Sequence, residues 1–398
     1  MKRYEFVRET TGHPMTDPTT LLPAGLRDVL PPEADHEARV LSQVMSCLSA
    51  NGFERVNPPL IEFEDSLLAG TGADMGPKTF RLMDPASQRM MGVRADMTPQ
   101  IARIAATRLR RSPRPLRICY TGLVLRVKGS ELRPERQFSQ IGAELIGNSS
   151  CRADAEIILL AAQCLRAAGI EKFSIDLNLP TLAAAVCEDL DLGSETLRDL
   201  RAAIDRKDAA SVAELGGQPG QILGAMLLAA GSQARARESL AKLNLPPRAA
   251  ALRNHLHDVV DLVVTADPDL PLTIDPVENR GFEYQTGVSF TIFAVGARGA
   301  LGRGGQYRIG GAADEPATGF TLYMDSTMHA VPMLIEVRRI FVPFGTNRAV
   351  LTRLQSEGWT TIVGLETVDD PNAEAVRLGC GHVLLDNTVA PVPGKVAG

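Results

Sequence analysis

The sequence RQFSQIGAELI, residues 136–146, decides the fold. Alternation of its side chains predicts a strand with one apolar face, made of Ile141, Ala143 and Leu145. The opposite face carries Gln140 and Glu144 on either side of Gly142. A buried polar group without a hydrogen-bond partner costs about 1–3 kcal/mol, so an amide and a carboxylate placed there need partners. The pattern predicts a floor on which a small polar ligand can lie.

The preceding segment, residues 116–126, is also strand-like, and a charged loop over residues 127–136 joins it to the first strand. Two strands joined by a loop of this length are most simply antiparallel neighbours. Arg126 ends the earlier strand beside the returning chain. It either contributes to a ligand site or forms an ion pair with Glu144, and spacing alone leaves both open.

Upstream, apolar periodicity predicts a helix from about Glu33 to Asn51, with Gly52 as its stop. Residues 53–63 read as an extended segment interrupted by Pro58-Pro59, which suits a sheet edge because proline cannot donate to a ladder. A hairpin is predicted over residues 79–97.

Thr98 and Pro99 predict the start of the next helix, with the threonine hydroxyl as N-cap and proline in the first helical position. Asp96 adds a carboxylate just before this start. It is either a ligand-binding group or an acid that caps the helix.

Downstream, a helix is predicted over residues 153–168 and a strand over 173–179. Residues 181–260 are helical in pattern, and strands return after Pro271. The glycine-rich run 302–307 lacks the strand–loop–helix context and the Lys-Ser/Thr of a phosphate loop, so a hairpin turn is the expectation.

The tail reads strand–helix–strand–helix–strand, which predicts a small parallel sheet. The predicted fold class is therefore α+β with a largely antiparallel sheet. Its domains are an N-terminal arm at 1–20, a core at 21–336 with a helical insertion at about 181–260, and a short α/β appendix at 338–398.

Composition narrows the function. The chain has 398 residues, 44% hydrophobic and 22% charged, with a net charge of −5. This composition is typical of a globular protein. The negative net charge argues against a broad binding surface for nucleic acid. Six scattered cysteines, no metal-ligand spacing, no membrane-length apolar run and no secretory leader predict a cytoplasmic protein without metal or cofactor.

Over about residues 21–330, the order of these motifs resembles histidyl-tRNA synthetase and its relatives. The matching pieces are LPAGLRD (22–28), the strand ending at Pro58-Pro59, RADMT (94–98), Arg126 with RQFSQIGAE (136–144), RGFEY (280–284) and GGQY (304–307). The resemblance implies a class II aminoacyl-tRNA synthetase-like antiparallel sheet core.

The resemblance also implies a histidine pocket. Its members would be Asp96, Thr98, Arg126, Gln140, Glu144, Arg280, Tyr284 and Tyr307. Asp96 would receive the ligand ammonium, Arg126 would face the ligand carboxylate, and Glu144 would recognise the imidazole, whose ring offers donors. In the synthetases, Arg280 matches an arginine used on the carboxylate and the α-phosphate.

Three positions depart from the synthetases. Lys128 replaces a glutamate that helps to hold ATP, and Ser326 stands where an arginine meets the γ-phosphate. Adenylation depends on cationic groups placed around the phosphates, so these changes argue against catalysis. Gln285 replaces a tyrosine usual in the pocket. The tail is also short for an anticodon-binding domain, which makes tRNA an improbable partner.

This combination is similar to the regulatory-subunit family of ATP phosphoribosyltransferase. The resemblance implies a subunit with no catalytic residues, which senses L-histidine for feedback control of the first step of histidine biosynthesis. Its partner would be the short-form catalytic subunit, with a homodimer inside a hetero-oligomer. Two alternatives stay open, a divergent histidyl-tRNA synthetase and a synthetase paralogue that binds another amino acid.

Overall fold

The structure is a computed structural model that describes residues 21–131, 133–187, 194–215, 217–278, 285–310, 314–333 and 338–393. The chain forms two compact units. The core unit is Leu22–Pro332, and the described residues of the terminal unit are Leu21, Met333 and 338–393. The predicted arm, residues 1–20, lies outside the described residues.

The helices of the core unit are α1 Glu33–Ala50, α2 Glu64–Leu67, a 3-10 helix at Gly70–Lys78, α3 Thr98–Thr107, α4 Cys151–Ala167, α5 Leu182–Cys187, α6 Ser194–Asp205, α7 Ala209–Leu215, α8 Gly217–Leu228, α9 Gln233–Ala241, α10 Pro247–Ala266 and α11 Met324–Ala330. Its strands are β1 Glu54–Arg55, β2 Ile61–Phe63, β3 Phe80–Met83, β4 Met90–Val93, β5 Leu116–Leu125, β6 Gln137–Ile146, β7 Phe173–Asn178, β8 Gly231–Ser232, β9 Leu272–Asp275, β10 Gln285–Ala294, β11 Gly302–Ile309 and β12 Glu315–Tyr323.

A nine-stranded sheet with the order β1-β5-β6-β12-β11-β10-β7-β9-β8 forms the centre of the core unit. Its six middle strands, from β5 to β7, pair antiparallel. Parallel pairing occurs between β1 and β5 and between β7 and β9. The predicted β5–β6 pair is confirmed, with a register from Leu116↔Ile146 to Leu125↔Gln137. The α+β prediction with a largely antiparallel sheet is therefore correct.

The two faces of the sheet differ as the alternation in β6 predicts. One face packs against α1, α4 and α10 in a large apolar cluster that includes Ile141, Ala143 and Leu145. The other face, here called the polar face, carries the side chains of Tyr120, Gln140, Glu144 and Tyr307. Helix α3 packs on the polar face through Ile101 and Ala105. Residues 138–146 of β6 are buried, so both faces are covered.

Residues 53–63 divide at the two prolines. β1 forms an edge of the nine-stranded sheet, and β2 belongs to a three-stranded sheet with the order β2-β4-β3. The carbonyls of Pro58 and Pro59 are held by side chains, since Arg94 donates to Pro58 O at 3.0 Å and Gln100 to Pro59 O at 2.8 Å. The predicted hairpin is confirmed as the antiparallel pair β3–β4.

The insertion is helical in its described residues, except for the two-residue strand β8, which pairs with β9. The prediction of a hairpin turn over 302–307 is wrong, because this run lies inside β11. Its glycines serve close packing between strands. A side chain at Gly304 would collide with the ring of Phe290 and with the carbonyl of Gly319.

In the terminal unit, the elements are β13 Arg339–Val342, α12 Arg348–Ser356, β14 Thr360–Val363, α13 Pro371–Arg377, β15 His382–Leu385 and β16 Thr388–Pro391. The predicted parallel strands are confirmed, as β13 pairs parallel with β14 and β15. Strand β16 was not predicted and pairs antiparallel with β15. Asp386 and Asn387 form the turn between them with φ of 49° and 62°, a conformation typical of a two-residue hairpin.

Within the described ranges, the helices are too short or too polar for any of them to cross a lipid bilayer.

Candidate ligand-binding site

A row of residues in register crosses five strands on the polar face. Glu144 on β6 lies opposite Gly319 on β12, which lies opposite Gly305 on β11. Gly305 faces Ser289 on β10, and Ser289 faces Asn178 on β7. Residues opposite each other on neighbouring strands project to the same side of the sheet. The row is therefore a floor of two glycines between a carboxylate and a pair of polar side chains.

Glu144 is 2% exposed and is held by two phenols of the polar face. Tyr120 donates to Oε1 at 3.1 Å, and Tyr307 donates to Oε2 at 3.0 Å. Burial raises the pKa of Glu144 to about 8, although the hydroxyls of Tyr307 and Tyr120 act in the opposite direction and Asp96 adds to the rise. The carboxyl therefore exchanges its proton near neutral pH, which suits a group that meets a titrating ligand.

The hydroxyl of Tyr120 connects the carboxyl of Glu144 to two threonine hydroxyls. It lies 2.8 Å from Thr321 Oγ1 and 3.3 Å from Thr98 Oγ1. Burial raises the pKa of Tyr120 well above its ordinary value, with the nearby Glu144 as the next cause, so the phenol stays protonated. A Cβ at Gly142 would lie 2.5 Å from the Tyr120 ring, so this glycine makes room for the ring.

Gln140 and Asp96 form the second part of the site. Gln140 Nε2 donates to Asp96 Oδ2 at 2.9 Å, and Gln140 Oε1 accepts from the backbone N–H of Met97 at 3.0 Å. Gln140 is fully buried. These bonds connect β6 to the start of α3, so the carboxylate of Asp96 is fixed above the sheet. The structure thus brings the two predicted residues together.

Arg126 pairs with Asp96 and not with Glu144. Its guanidinium lies 3.9 Å from Asp96 Oδ2, and its Nε donates to the carbonyl of Ala95 at 3.2 Å. The guanidinium carbon also lies 4.9 Å from the centre of the Phe138 ring. Arg126 lies beside the start of β6, eight residues along the strand from Glu144, so the two side chains do not form the alternative ion pair.

The prediction that the Thr98 hydroxyl caps α3 is wrong. Met97 occupies the N-cap position, and its side chain makes no capping hydrogen bond. Asp96 Oδ1 accepts from the backbone N–H of Thr98 at 2.9 Å instead. A carboxylate accepts such a bond more strongly than a hydroxyl, which leaves the Thr98 hydroxyl to Tyr120. Asp96 therefore supports the helix start and keeps its other oxygen towards Gln140 and Arg126.

Other predicted positions fall elsewhere. Arg280 and Tyr284 lie outside the described residues. Lys128 is exposed on the loop after β5. Ser326, on α11, is 3% exposed, and its hydroxyl has no hydrogen-bond partner in the described part of the chain. No cluster of three metal-ligating side chains occurs among the described residues.

Sequence reasoning missed Tyr120, Thr321 and the far end of the row. The signal for Tyr120 was its position in a strand whose pairing with β6 was predicted, directly opposite Gly142. Ser289 and Asn178 gave no such signal, because their strands come together only in the folded sheet. Two concave surfaces of about 370 and 660 Å³ lie on α1 and α4, over the other face of the sheet, and include none of the predicted residues.

The comparisons with known proteins agree with the resemblance found in the sequence. The family model for histidyl-tRNA synthetase matches residues 25–327. The ATP phosphoribosyltransferase regulatory subunit of Rhodospirillum centenum is 55% identical over 373 residues, which cover 94% of this chain and 96% of that protein. The ATP phosphoribosyltransferase regulatory subunit of Paramagnetospirillum magneticum is 54% identical over 364 residues, covering 92% and 96%.

Among solved structures, a Bacillus halodurans protein described as an ATP phosphoribosyltransferase regulatory subunit/histidyl-tRNA synthetase has a TM-score of 0.77. It covers 91% of this chain and 97% of its own at 22% identity, a likeness that shows the fold. The fold is thus that of histidyl-tRNA synthetases, and the sequence identity extends over nearly the whole chain. The chain belongs to the family of ATP phosphoribosyltransferase regulatory subunits.

Proposed function

We propose that this chain binds free L-histidine on the polar face and, without catalysis of its own, adjusts the activity of an ATP phosphoribosyltransferase catalytic subunit in the first step of histidine biosynthesis. The observation that carries the proposal is Glu144, a buried carboxyl held by Tyr120 and Tyr307 above glycines. An imidazole ring offers the N–H donor that this acceptor needs.

The rest of the site supports an α-amino acid. Asp96 presents a carboxylate for an ammonium group, and Arg126 beside it presents a guanidinium for a carboxylate. In the proposed complex the imidazole ring lies at Glu144 and the charged end of histidine lies at Asp96 and Arg126.

Control of a partner enzyme requires that histidine bind one assembly state more tightly than another. The names of the relatives support a catalytic subunit of ATP phosphoribosyltransferase as this partner. Calorimetric titration with L-histidine, and titration of the partner's activity with this chain and with histidine, test the two parts. Absence of histidine binding would refute sensing, and unchanged activity of the partner would refute regulation.

A divergent histidyl-tRNA synthetase is the second candidate, because the synthetase family model covers most of the chain. It would use ATP, yet Lys128 stands in place of a glutamate that helps to hold ATP, and Ser326 in place of an arginine that meets the γ-phosphate. The assay is histidine-dependent exchange of pyrophosphate into ATP. Exchange above the level of a Glu144→Ala variant would favour the synthetase and overturn our proposal of a subunit without catalysis.

A different amino acid as ligand is tested by the same calorimetry with the twenty free amino acids. Tighter binding of one that lacks an imidazole would replace histidine as the ligand. The panel therefore tests whether Gln285, in place of the tyrosine usual in the pocket, changes which amino acid binds.

We also propose a homodimer within the larger assembly. Support comes from large apolar side chains that are exposed on or next to the strands around Pro58-Pro59, namely Leu60, Ile61, Met83, Met90 and Leu123. Exposed apolar patches of this kind mark interaction surfaces. Light scattering of the purified chain tests this, and a monomer at micromolar concentration would contradict it.

A further inference from the structure

Two cysteines from different helices meet on the apolar side of the nine-stranded sheet, away from the polar face. Cys47 lies in the last turn of α1, and Cys164 lies near the end of α4. Cys164 is buried in the large apolar cluster against which Cys47 packs. The two thiols share a hydrogen bond, in which Cys164 donates and Cys47 accepts. They are therefore already in contact in the reduced protein, although they are far apart in the chain.

The two helices are fixed to each other beside these thiols. Asn51, one turn after Cys47, donates from Nδ2 to Gln163 Oε1 at 3.2 Å, and Gln163 directly precedes Cys164. The same Nδ2 donates to the carbonyl of Cys47 at 2.9 Å and lies 3.9 Å from its Sγ. A disulfide requires that the two side chains point towards each other, and this helix pair meets that requirement.

Cys47 is the accessible member of the pair. It is partly exposed and lines a concave surface of about 660 Å³ together with polar side chains of α1 and α4. The charged groups of this surface are Arg39 from α1 and Arg166 from α4, and Arg166 is paired with Asp267 at 2.6 Å. Small solutes therefore reach Cys47 from the solvent, whereas Cys164 is covered.

The thiol of Cys47 is also the more acidic of the two. The hydrogen bond from Cys164 lowers the pKa of Cys47 to about 7, against a smaller opposing effect of burial. The same bond, together with burial, raises the pKa of Cys164 well above its ordinary value. The thiolate and not the thiol is the nucleophile in cysteine oxidation. Cys47 is therefore the attacking sulfur, and Cys164 keeps its proton.

A third cysteine, Cys119 on β5, lies close to Cys164 and does not compete with this pair. Cys119 is fully buried, and its thiol donates to the carbonyl of Phe53 at 3.5 Å. Burial raises the pKa of Cys119, so this thiol stays protonated. Cys47 is thus the one acidic and accessible sulfur among these three residues.

We propose that Cys47 and Cys164 form a peroxide-responsive dithiol, in which Cys47 is oxidised first and Cys164 then closes a reversible disulfide between α1 and α4. The inference does not depend on the proposed function, because no ligand of the polar face takes part. Disulfides of proteins in reducing compartments are mostly transient or redox-sensing, which is the class that a partly exposed pair fits.

The chemistry takes two steps. The Cys47 thiolate attacks hydrogen peroxide, so that an S–O bond forms, the O–O bond breaks, and the released hydroxide takes a proton from the solvent to become water. The Cys164 sulfur then attacks the sulfur of the Cys47 sulfenic acid. The S–S bond forms, the S–O bond breaks, and the hydroxyl leaves as water with the Cys164 proton. In sum, the two thiols are oxidised to a disulfide and the peroxide is reduced to water.

The test is mass spectrometry of the full chain after treatment with hydrogen peroxide. Wild type should lose the mass of two hydrogen atoms and give a linked peptide pair that contains Cys47 and Cys164. A dithiol reductant should restore the starting mass. A linked pair that contains Cys119, or oxidation of Cys47 without any disulfide, would overturn the inference. This peptide map decides the question even if a variant fails to fold.

Cys164→Ala removes both the hydrogen-bond donor and the second sulfur. Oxidation should stop at the sulfenic acid of Cys47, which dimedone captures. The half-maximal rate of Cys47 alkylation by iodoacetamide should move from about pH 7 to about pH 8.5, the ordinary range of a thiol. At pH 7 the alkylation should be slower by on the order of 10-fold. An unshifted pH profile would contradict Cys47 as the activated sulfur.

Two further variants complete the test. Cys47→Ser keeps Cys164 and should form no disulfide within the chain. Cys151→Ser is the matched control, because Cys151 also lies on α4 and is partly exposed as Cys47 is. It should form the disulfide as wild type does, and circular dichroism checks that each variant keeps its fold. A disulfide in Cys47→Ser, or its loss in a folded Cys151→Ser, would refute the assignment.

Discussion

Glu144 on β6 and Gly319 on β12 lie opposite each other, and the carboxyl of Glu144 fits over position 319 because glycine has no side chain. The oxygen of Glu144 occupies the space where a Cβ at position 319 would stand. The two residues are 175 positions apart in the chain, yet each requires the other. A buried carboxyl in the middle of a sheet is therefore a property of the strand pair and not of either strand alone.

Gly319→Ala should abolish histidine binding by displacing Glu144 from its two tyrosines. The added methyl group overpacks a buried position, which typically costs about 1–3 kcal/mol of stability. Calorimetry with L-histidine measures the binding, and thermal unfolding measures the stability. Gly310→Ala is the control, because a Cβ at Gly310 meets no atom within 4 Å and should change neither quantity. Histidine binding that survives in Gly319→Ala would mean that Glu144 is not the ring acceptor.

Glu144→Gln should weaken histidine binding and at the same time stabilise the free protein at high pH. Burial raises the pKa of Glu144 to about 8, with Tyr120, Tyr307 and Asp96 as the polar groups around it. The unfolded chain loses this proton near pH 4.3, so wild-type stability should fall between about pH 4.5 and 8 and then level off.

The variant lacks this dependence and should gain on wild type as pH rises, by on the order of 5 kcal/mol between pH 4 and pH 9. Chemical denaturation at pH 5, 7 and 9 measures the difference. Glu131→Gln, at an exposed carboxylate, is the control and should follow wild type at each pH. A constant difference between Glu144→Gln and wild type across this range would show that Glu144 titrates as an ordinary acid.

Tyr307→Phe should reduce histidine affinity about 5- to 30-fold, because it removes the donor that orients Glu144 Oε2 and leaves Tyr120 in place. The pKa of Glu144 should rise further in this variant, since the lost bond favours the charged form. Titration of affinity against pH measures both effects. Tyr323→Phe removes a hydroxyl but keeps the ring near Arg126 and should bind histidine normally. Equal behaviour of the two variants would contradict the role of Tyr307.

Asp96→Asn should weaken histidine binding by about 1.5–3 kcal/mol, the scale of a charged hydrogen bond. The amide still accepts from the backbone N–H of Thr98, so α3 should start normally. The comparison ligand is imidazolepropionate, which lacks the ammonium group. Wild type should prefer histidine to it, and the variant should lose most of that preference. An undiminished preference in Asp96→Asn would place the ammonium elsewhere.

The two faces of β6 could be predicted from residues 136–146 alone, because alternation of side chains is a local property of a strand. The antiparallel partner β5 followed from the short loop between the two segments. Gln140 and Glu144 were predicted on the polar side for the same reason. Strand β16 could not be predicted with the same ease, because a strand of four residues shows little alternation of apolar and polar side chains, and Asp386-Asn387 is its one local turn signal.

The sequence by itself determined which side chains of β6 share a face, where α1 and α4 begin and end within a few residues, and which motifs match a known family. The tertiary structure decided which of these side chains contact each other. In the folded chain Arg126 contacts Asp96, and Glu144 accepts hydrogen bonds from Tyr120 on the neighbouring strand β5 and from Tyr307 on β11. The side chain of Gln285 lies over Gly305. The reason is physical. Alternation and capping act over a few residues, whereas the register of strands far apart in the chain depends on packing the whole sheet.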